Sequence, residues 1–240
     1  MNDATEPGKL QEKYYTEQAD SYDNAHVNID DEHMLALSMF SGFKFVGSND
    51  SILDVGAGTG RAIKYLQSKL PKCKTMGIEP VEALRNVAYQ SSEISREQLV
   101  DGDATNIQFD ADQFDWVIET GVLHHIKDFR AATHEMCRVA KKGVLLSDSN
   151  NMGQGGRVSR LLKQSFKALG AWDLVTYIQT KGKMYKYSEG DGVYYSFCVF
   201  DTVPILRSNF RNVIFFNTSP SGLNIYNSSS TVGVIAYDKY

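Results

Sequence analysis

Residues 51–60 read SILDVGAGTG, an apolar run around Asp54 that breaks into the glycines Gly56, Gly58 and Gly60. This pattern is typical of a buried strand that ends in a tight turn, where glycine lets the backbone come close to a nucleotide-like ligand. The spacing G-x-G-x-G differs from the G-x-G-x-x-G of dinucleotide-binding turns, and no Gly-Lys-Ser/Thr of a phosphate loop follows. Asp54 would repel a pyrophosphate but attract a cation. The turn therefore predicts a ligand that carries a positive charge and no phosphate.

Around this first strand the sequence alternates between strand and helix patterns. Helix patterns cover 10–23, 31–43, about 60–70, 81–90 and 130–140, and further strand patterns cover 73–79, 98–104, 114–120 and 143–149. Five strands alternating with helices predict an α/β fold with a parallel, Rossmann-like doubly wound sheet. Two later strand patterns, 212–216 and 231–237, predict a C-terminal antiparallel pair at the edge of that sheet.

The alternation divides the chain into three expected parts. Residues 1–150 are expected to hold the N-terminal helices and the cofactor-binding Rossmann-like core. After residue 150 the sequence becomes rich in glycine and tyrosine and loses the alternation. We therefore expect an inserted substrate lid over 151–200, and final strands over 201–240 that complete the core sheet.

Acidic residues lie at the ends of three further predicted strands: Glu79, Asp103 and Glu119. The carboxyl ends of parallel strands meet at one edge of the sheet, so we expect these side chains to share one crevice with the glycine turn. An acidic residue after the second strand can accept hydrogen bonds from both ribose hydroxyls, and Asp103 is placed to accept one from the amine of an adenine. A single carboxylate of this kind would as readily cap a loop. Ribose, adenine and a positively charged tail together describe S-adenosylmethionine, which we expect as the cofactor.

Four motifs, ILDVGAGTG (52–60), GIEP (77–80), DGDA (101–104) and FDWVIETGVLHHI (114–126), resemble in this order the class I S-adenosylmethionine-dependent methyltransferases, in particular their small-molecule branch. The resemblance covers about residues 10–148. It implies that the methionine portion lies at the glycine turn, that Glu119 to Gly121 lie beneath the sulfonium, and that an N-terminal helix carrying Tyr14, Tyr15 and Tyr22 closes over the cofactor. The expected cofactor-binding residues are Tyr14, Tyr22, Asp54, Gly56, Ala57, Gly58, Gly60, Glu79, Pro80, Asp103, Ala104, Glu119, Thr120 and Gly121.

His124 and His125 follow the fourth strand and are the expected catalytic residues. A methyl acceptor needs a base when it must lose a proton to become nucleophilic. The alternative is that one histidine caps or packs the next segment. We expect no metal site, because the adjacent histidines have no matching set of carboxylates in the sequence.

The segment after residue 150 is expected to choose the acceptor. Over 157–169 apolar residues share one helical face and basic residues the other, and from Asn151 to Tyr187 there are seven basic residues against one acidic residue in a chain of net charge −4. We interpret this helix as packed on the core with a solvated basic face. Two sharper hypotheses are attraction of an anionic acceptor and docking onto anionic lipid. The expected substrate-binding residues are Asn150, Asn151, Arg157, Lys183, Tyr185, Tyr194 and Tyr195.

Together these patterns predict a methyltransferase with a small, anionic or polar acceptor such as a sugar or carboxylate metabolite. We expect a cytoplasmic location, since the first residues lack a signal-peptide pattern and no apolar run approaches the roughly 18 residues of a membrane span. The negative net charge disfavours nucleic-acid partners. Two alternatives stay open: a methyltransferase acting on a lipid or quinone at the membrane surface, and a cofactor-binding regulatory subunit without turnover. The sequence leaves the oligomeric state open.

Overall fold

The computed structural model describes residues 6–19, 31–91, 93–219 and 224–240. Within them a seven-stranded sheet runs in the order β3-β2-β1-β4-β5-β9-β8, and a separate hairpin pairs β6 with β7. The first five of these strands are parallel, whereas β9 is antiparallel to both β5 and β8. The predicted doubly wound sheet with a C-terminal antiparallel pair is therefore confirmed.

The strands keep close to their predicted positions. The main difference is β3, which is only two residues long, so that Asp103 lies in the loop after it. The strands are β1 (Ser51–Val55), β2 (Lys74–Ile78), β3 (Leu99–Val100), β4 (Phe114–Thr120), β5 (Ala140–Ser149), β6 (Tyr185–Ser188), β7 (Gly192–Tyr195), β8 (Phe210–Asn217) and β9 (Thr231–Lys239).

The helices of the core alternate with these strands, and three more of the described helices follow β5. The first helix begins earlier than predicted, and residues 20–30, which include the predicted contact Tyr22, lie outside the described residues. The helices are α1 (Glu6–Gln18), α2 (Glu32–Ser41), α3 (Arg61–Lys69), α4 (Glu82–Gln90), α5 (Phe129–Val139), α6 (Arg157–Ala168), α7 (Trp172–Gln179) and α8 (Val203–Asn209).

The core lies on both faces of the sheet, because the central strands are apolar almost throughout. In β4, Trp116, Val117 and Ile118 are all fully buried, with alternate side chains pointing to opposite faces. Trp116 packs with Phe40 of α2, while Val117 belongs to the cluster that includes Leu146 of β5. Burial on two faces fixes the register of the central strands and thus the edge at which their carboxyl ends meet.

The segment after β5 packs differently from the core. Helices α6 and α7 and the β6–β7 hairpin form no part of the seven-stranded sheet, and β7 lies against α1.

Among the described residues there is no helix that combines the length and the apolar character needed to cross a membrane. The division of the chain at residues 150 and 200 stays a prediction.

Candidate active site

A crevice of about 520 Å³ opens at the carboxyl ends of the parallel strands. Its walls come from the glycine turn after β1, the ends of β2 and β4, the loop after β3, and helix α1. A volume of this size suits a ligand of nucleoside dimensions. Eight of the residues expected to bind the cofactor line it: Gly56, Gly58, Glu79, Pro80, Asp103, Ala104, Thr120 and Gly121.

The turn after β1 has the backbone that its glycines predict. Gly56 has a φ angle of +73°, and a Cβ atom there would lie 2.5 Å from the side chain of Val122. Gly60, with φ of +82°, begins α3, and a Cβ atom there would lie 2.0 Å from Ile94. Only glycine fits these positions without strain. Gly56 therefore shapes the crevice wall, whereas Gly60 and Ala57 pack behind it.

Glu79 connects the glycine turn to the second strand. Its carboxylate is buried and accepts hydrogen bonds from the backbone N–H groups of Gly58, at 3.0 Å, and Val81, at 2.9 Å. Burial raises the pKa of Glu79, and the two backbone hydrogen bonds offset part of that rise. Its two hydrogen bonds hold the glycine turn in place. Because Glu79 also lines the crevice, it can present its carboxylate to a ligand.

Asp103 is fixed by its own loop at the other end of the crevice. Its Oδ1 accepts hydrogen bonds from the backbone N–H and the hydroxyl of Thr105, each at 2.8 Å. These bonds form a local turn that leaves Ala104 beside it on the crevice wall. The residue therefore has both a capping role and a position suited to the predicted adenine contact.

Asp54 lies behind the turn and is not among the residues that line the crevice. It is fully enclosed, and its Oδ1 has no hydrogen-bond partner in the part of the chain that the structure describes. The pKa of Asp54 is raised to about 7, mainly by burial. The charge of Arg61 acts to lower this pKa, and the charge of Glu79 acts to raise it. The predicted contact with the methionine portion stays a prediction.

The Asp54→Asn variant is expected to be more stable than the wild type at pH 8, by roughly 2–4 kcal/mol, since each unit of pKa shift corresponds to about 1.4 kcal/mol. A carboxyl whose folded pKa lies above its unfolded value loses stability as pH rises between the two, here from about 4 to about 7. The gain should therefore shrink at pH 5. Melting temperatures at both pH values test this, with Asp173→Asn in exposed α7 as the control. A lower melting temperature of Asp54→Asn at pH 8 would contradict it.

A buried acid–imidazole network lies beside the crevice, behind the predicted loop 119–121. Nδ1 of His124 is 2.6 Å from Oδ1 of Asp148 at the end of β5. Burial acts to lower the pKa of His124, but the charge and hydrogen bond of Asp148 raise it to about 10. Burial and the Asp148 charge together raise the pKa of Glu119. His124 and Asp148 therefore form an ion pair, and burial next to that pair disfavours the charged form of Glu119.

His125 differs from His124 in both its partners and its protonation. Its Nδ1 lies 2.6 Å from the carbonyl oxygen of Val193, so this nitrogen carries the proton. Its Nε2 lies 3.0 Å from the hydroxyl of Tyr15 and accepts from it. Burial and the cationic His124 lower the pKa of His125 to about 4. His125 is therefore a neutral acceptor, and both His125 and Tyr15 line the crevice.

A second cavity, of about 570 Å³, lies on the other side of the two histidines. Helices α6 and α7 and the β6–β7 hairpin supply most of its walls, and Tyr195 lines both cavities. Lys163 reaches into this region and donates to the carbonyl oxygens of Asn151 and Gln154. Burial lowers the pKa of Lys163, as do the charges of Lys186 and Arg160. The second cavity is thus a polar, cationic space adjoining the crevice.

Asp191 brings a carboxylate to the two histidines, which the sequence did not predict. Its two oxygens lie 3.6 Å from Nε2 of His124 and 3.5 Å from Nε2 of His125. One atom from each of the three residues falls within 4.8 Å of the others, so the set could hold a metal ion of the zinc type. Because Asp148 and Asp191 favour the protonated form of His124, an ion there would have to displace that proton.

The structure separates the predicted residues into those at the two cavities and those elsewhere. Asn151, Tyr185, Tyr194 and Tyr195 line the second cavity, but Arg157 and Lys183 do not. Asn150 is fully buried, and its amide donates to carbonyl oxygens of the loop before β9. Tyr14 is also buried and packs against the β6–β7 hairpin. Its neighbour Tyr15, and not Tyr14, lines the crevice.

Several cavity residues were not singled out from the sequence. Lys163 and Lys186 were counted among the basic residues of 151–187 but were not predicted to bind the acceptor. The helical period does put Lys163 opposite the apolar stripe. No local pattern marks Gln11, whose side-chain amide lies 3.1 Å from Nδ1 of His125, or Trp172. The residues missed in this way are Gln11, Ser149, Gln154, Lys163, Trp172, Thr176, Lys186, Asp191 and Ser196.

Comparison with known proteins agrees with this geometry. Residues 53–147 match the protein family described as “Methyltransferase domain”. The demethylmenaquinone methyltransferase of Roseiflexus castenholzii is 31% identical over 91 residues, 38% of either chain. The phthiotriol/phenolphthiotriol dimycocerosates methyltransferase of Mycobacterium tuberculosis is 28% identical over 127 residues, 53% of this chain and 44% of the relative. The chain thus matches less than half the length of these relatives.

Among solved structures, phosphoethanolamine N-methyltransferase 2 of Haemonchus contortus in complex with S-adenosyl-L-methionine superposes with a TM-score of 0.68. The superposition covers 100% of this chain and 61% of that one, at 16% sequence identity. At this identity the likeness shows a shared fold. It extends beyond the parallel core to the segment after β5.

Proposed function

We propose that this chain, a member of the class I S-adenosylmethionine-dependent methyltransferase family, transfers a methyl group to a small polar or anionic acceptor bound in the second cavity. The observation that carries the proposal is the position of the two neighbouring histidines. His125 faces the crevice and His124 the second cavity, and Tyr195 lines both. A donor in one space and an acceptor in the other would therefore meet at this wall.

The crevice suits the cofactor that its residues predict. Buried Glu79, after β2, can present a carboxylate to a ribose. Asp103 and Ala104, in the loop after β3, line the part of the crevice proposed for the adenine. Gly56 and Gly58 bring backbone rather than side chains to the surface between them. When bound, S-adenosylmethionine supplies a methyl group on a sulfonium, which is already an activated leaving group.

The protein's own contribution is then mainly alignment. Holding two reactants in the correct geometry can lower a barrier by roughly 7–11 kcal/mol without any further chemistry. Neutral His125 accepts a hydrogen bond at Nε2, and Tyr15 supplies a hydroxyl at 3.0 Å from it. A hydroxyl or amine of the acceptor that took the place of the Tyr15 hydroxyl would be oriented by the same lone pair. His124 is paired with Asp148 and lies 3.6 Å from Asp191, so the cationic groups left to meet an acceptor in the second cavity are its lysines.

The charge of the second cavity supports an anionic or strongly polar acceptor. Lys163 and Lys186 both line it, and the charge of Lys186 contributes, after burial, to the lowered pKa of Lys163. An anion bound between them would relieve that repulsion. Tyr185 and Tyr194 supply aromatic surface and hydroxyl groups at the same cavity, which suits a sugar or a small carboxylate.

The test is methyl transfer from labelled S-adenosylmethionine into a metabolite extract separated into water-soluble and lipid fractions. We expect label in the water-soluble fraction with wild-type protein, and a loss of at least tenfold with Lys163→Gln/Lys186→Gln, because the acceptor loses its cationic contacts. Lys64→Gln, at a lysine of α3 that lines neither cavity, is the control. Label confined to the lipid fraction would replace the polar acceptor by a lipid, and no label in either fraction would favour a cofactor-binding subunit without turnover.

A further inference from the structure

Helix α6 exposes the apolar face that the sequence predicted to be in the core. None of its residues is buried. Leu169, which follows the helix, is 79% exposed, and Val158 and Leu161 are 73% and 65% exposed. A helix packed on a core would have the opposite orientation. The interpretation of 157–169 as a core-packed helix is therefore wrong.

The basic face of α6 holds the helix to the protein instead. Lys167 forms an ion pair with Asp201 at 2.7 Å, and Lys163 donates to the carbonyl oxygens of Asn151 and Gln154. Both lysines lie opposite the apolar stripe on a helix of 3.6 residues per turn. These polar contacts on one side of α6 therefore leave its apolar stripe on the solvent-exposed side.

Helix α7 continues the exposed apolar surface. Trp172 and Thr176 are buried, whereas Leu174, Tyr177 and Ile178 are exposed. These three follow the i, i+3, i+4 spacing of one helical face. We call the exposed apolar residues of both helices the outer face; they are Val158, Leu161, Leu162, Phe166, Leu169, Leu174, Tyr177 and Ile178.

The charges around the outer face are nearly all positive. Arg157, Lys181 and Lys183 are exposed, and Asp173 is the only acidic residue between 151 and 187. Apolar side chains bordered by lysine and arginine match the chemistry of an anionic lipid surface, where acyl chains lie below negatively charged headgroups. Tyr177, an exposed residue of the outer face, suits the boundary between the two layers. A protein of net charge −4 needs such a local patch to approach that surface at all.

From these observations we propose that the outer face docks onto anionic membranes, with the α6 and α7 apolar side chains inserted and the flanking cations against the headgroups. The inner sides of the same helices line the second cavity through Lys163 and Thr176. Docking would thus hold that cavity close to the bilayer surface. This inference does not depend on methyl transfer, because it rests on the outer side of the helices alone.

The test is co-sedimentation of the full chain with vesicles of phosphatidylcholine alone or mixed with phosphatidylglycerol. We expect binding to the mixed vesicles and at least tenfold weaker binding to phosphatidylcholine. Leu161→Gln/Leu162→Gln should lose at least tenfold on mixed vesicles, and Arg157→Gln/Lys183→Gln severalfold. Leu35→Gln, an exposed leucine of α2, is the matched control and should bind like the wild type.

The proposal is overturned if the wild type does not bind the mixed vesicles, or if Leu161→Gln/Leu162→Gln binds them as well as the wild type does. Sedimentation velocity then distinguishes the alternatives when vesicle binding is absent. A wild-type dimer that the same variant converts to a monomer would make a second copy of the chain the occupant of the outer face. Circular dichroism of each variant verifies that the fold is retained.

Discussion

Replacing Glu79 by alanine is expected to weaken binding of S-adenosylhomocysteine by about ten- to a hundredfold. The carboxylate accepts two backbone hydrogen bonds, from Gly58 and Val81, and also lines the crevice. Hydrogen bonds to a charged group are worth about 1.5–3 kcal/mol each, and the variant loses the ligand contact as well as the support of the turn. Isothermal titration calorimetry measures the effect directly.

Glu82→Ala is the matched control for this experiment. It removes the same side chain three residues later, at an exposed position in the first turn of α4, and should leave affinity within twofold of wild type. Glu79→Gln keeps the shape of the side chain but offers one oxygen instead of two, so an intermediate affinity is expected. Affinity equal to the wild type in a folded Glu79→Ala protein would contradict the assigned cofactor site.

Replacing His125 by asparagine is expected to lower kcat for methyl transfer by about a hundredfold and to lower S-adenosylhomocysteine affinity by less than about threefold. The imidazole is fixed through Nδ1 to Val193 and meets the Tyr15 hydroxyl at Nε2, at the wall between the two cavities. The loss comes from misaligned reactants, for which errors of about 1 Å can cost a hundredfold. The readouts are the initial rate of label transfer and a separate calorimetric titration.

Tyr15→Phe removes only the hydroxyl partner of His125 and should lower kcat less than His125→Asn does. His134→Asn, at an exposed histidine of α5, controls for the chemistry of the substitution. An unchanged kcat in His125→Asn would show that this histidine has a packing role. A parallel loss of cofactor affinity would instead make it part of the cofactor site.

The sequence predicted the parallel core well because the signal there is local and repeated. Each strand is a short apolar run, and Glu79 directly follows β2 as its position in the chain implies. The lengths of Leu99–Val100 and of α1 were less predictable, since pairing with neighbours and tertiary packing decide where an element ends. Asp54 precedes the end of β1 by one residue and is not among the residues that line the crevice.

The less predictable features depend on which side of a helix meets the protein. Neighbouring residues of a helix point about 100° apart, so the sequence could not tell that Tyr15 and not Tyr14 faces the crevice. The same applies to α6, whose amphipathic pattern is equally strong whether its apolar stripe faces inward or outward. The ion pair of Lys167 with Asp201, a contact across 34 residues, helps to decide this orientation.

A crystal structure with S-adenosylhomocysteine would show whether the crevice holds the cofactor with its sulfur next to the second cavity, where the acceptor is proposed to bind. We predict the ribose against Glu79, the adenine against Asp103 and Ala104, and the sulfur at the wall formed by His125 and Tyr195. S-adenosylhomocysteine bound elsewhere, or bound in the crevice with its sulfur directed away from the second cavity, would contradict the account.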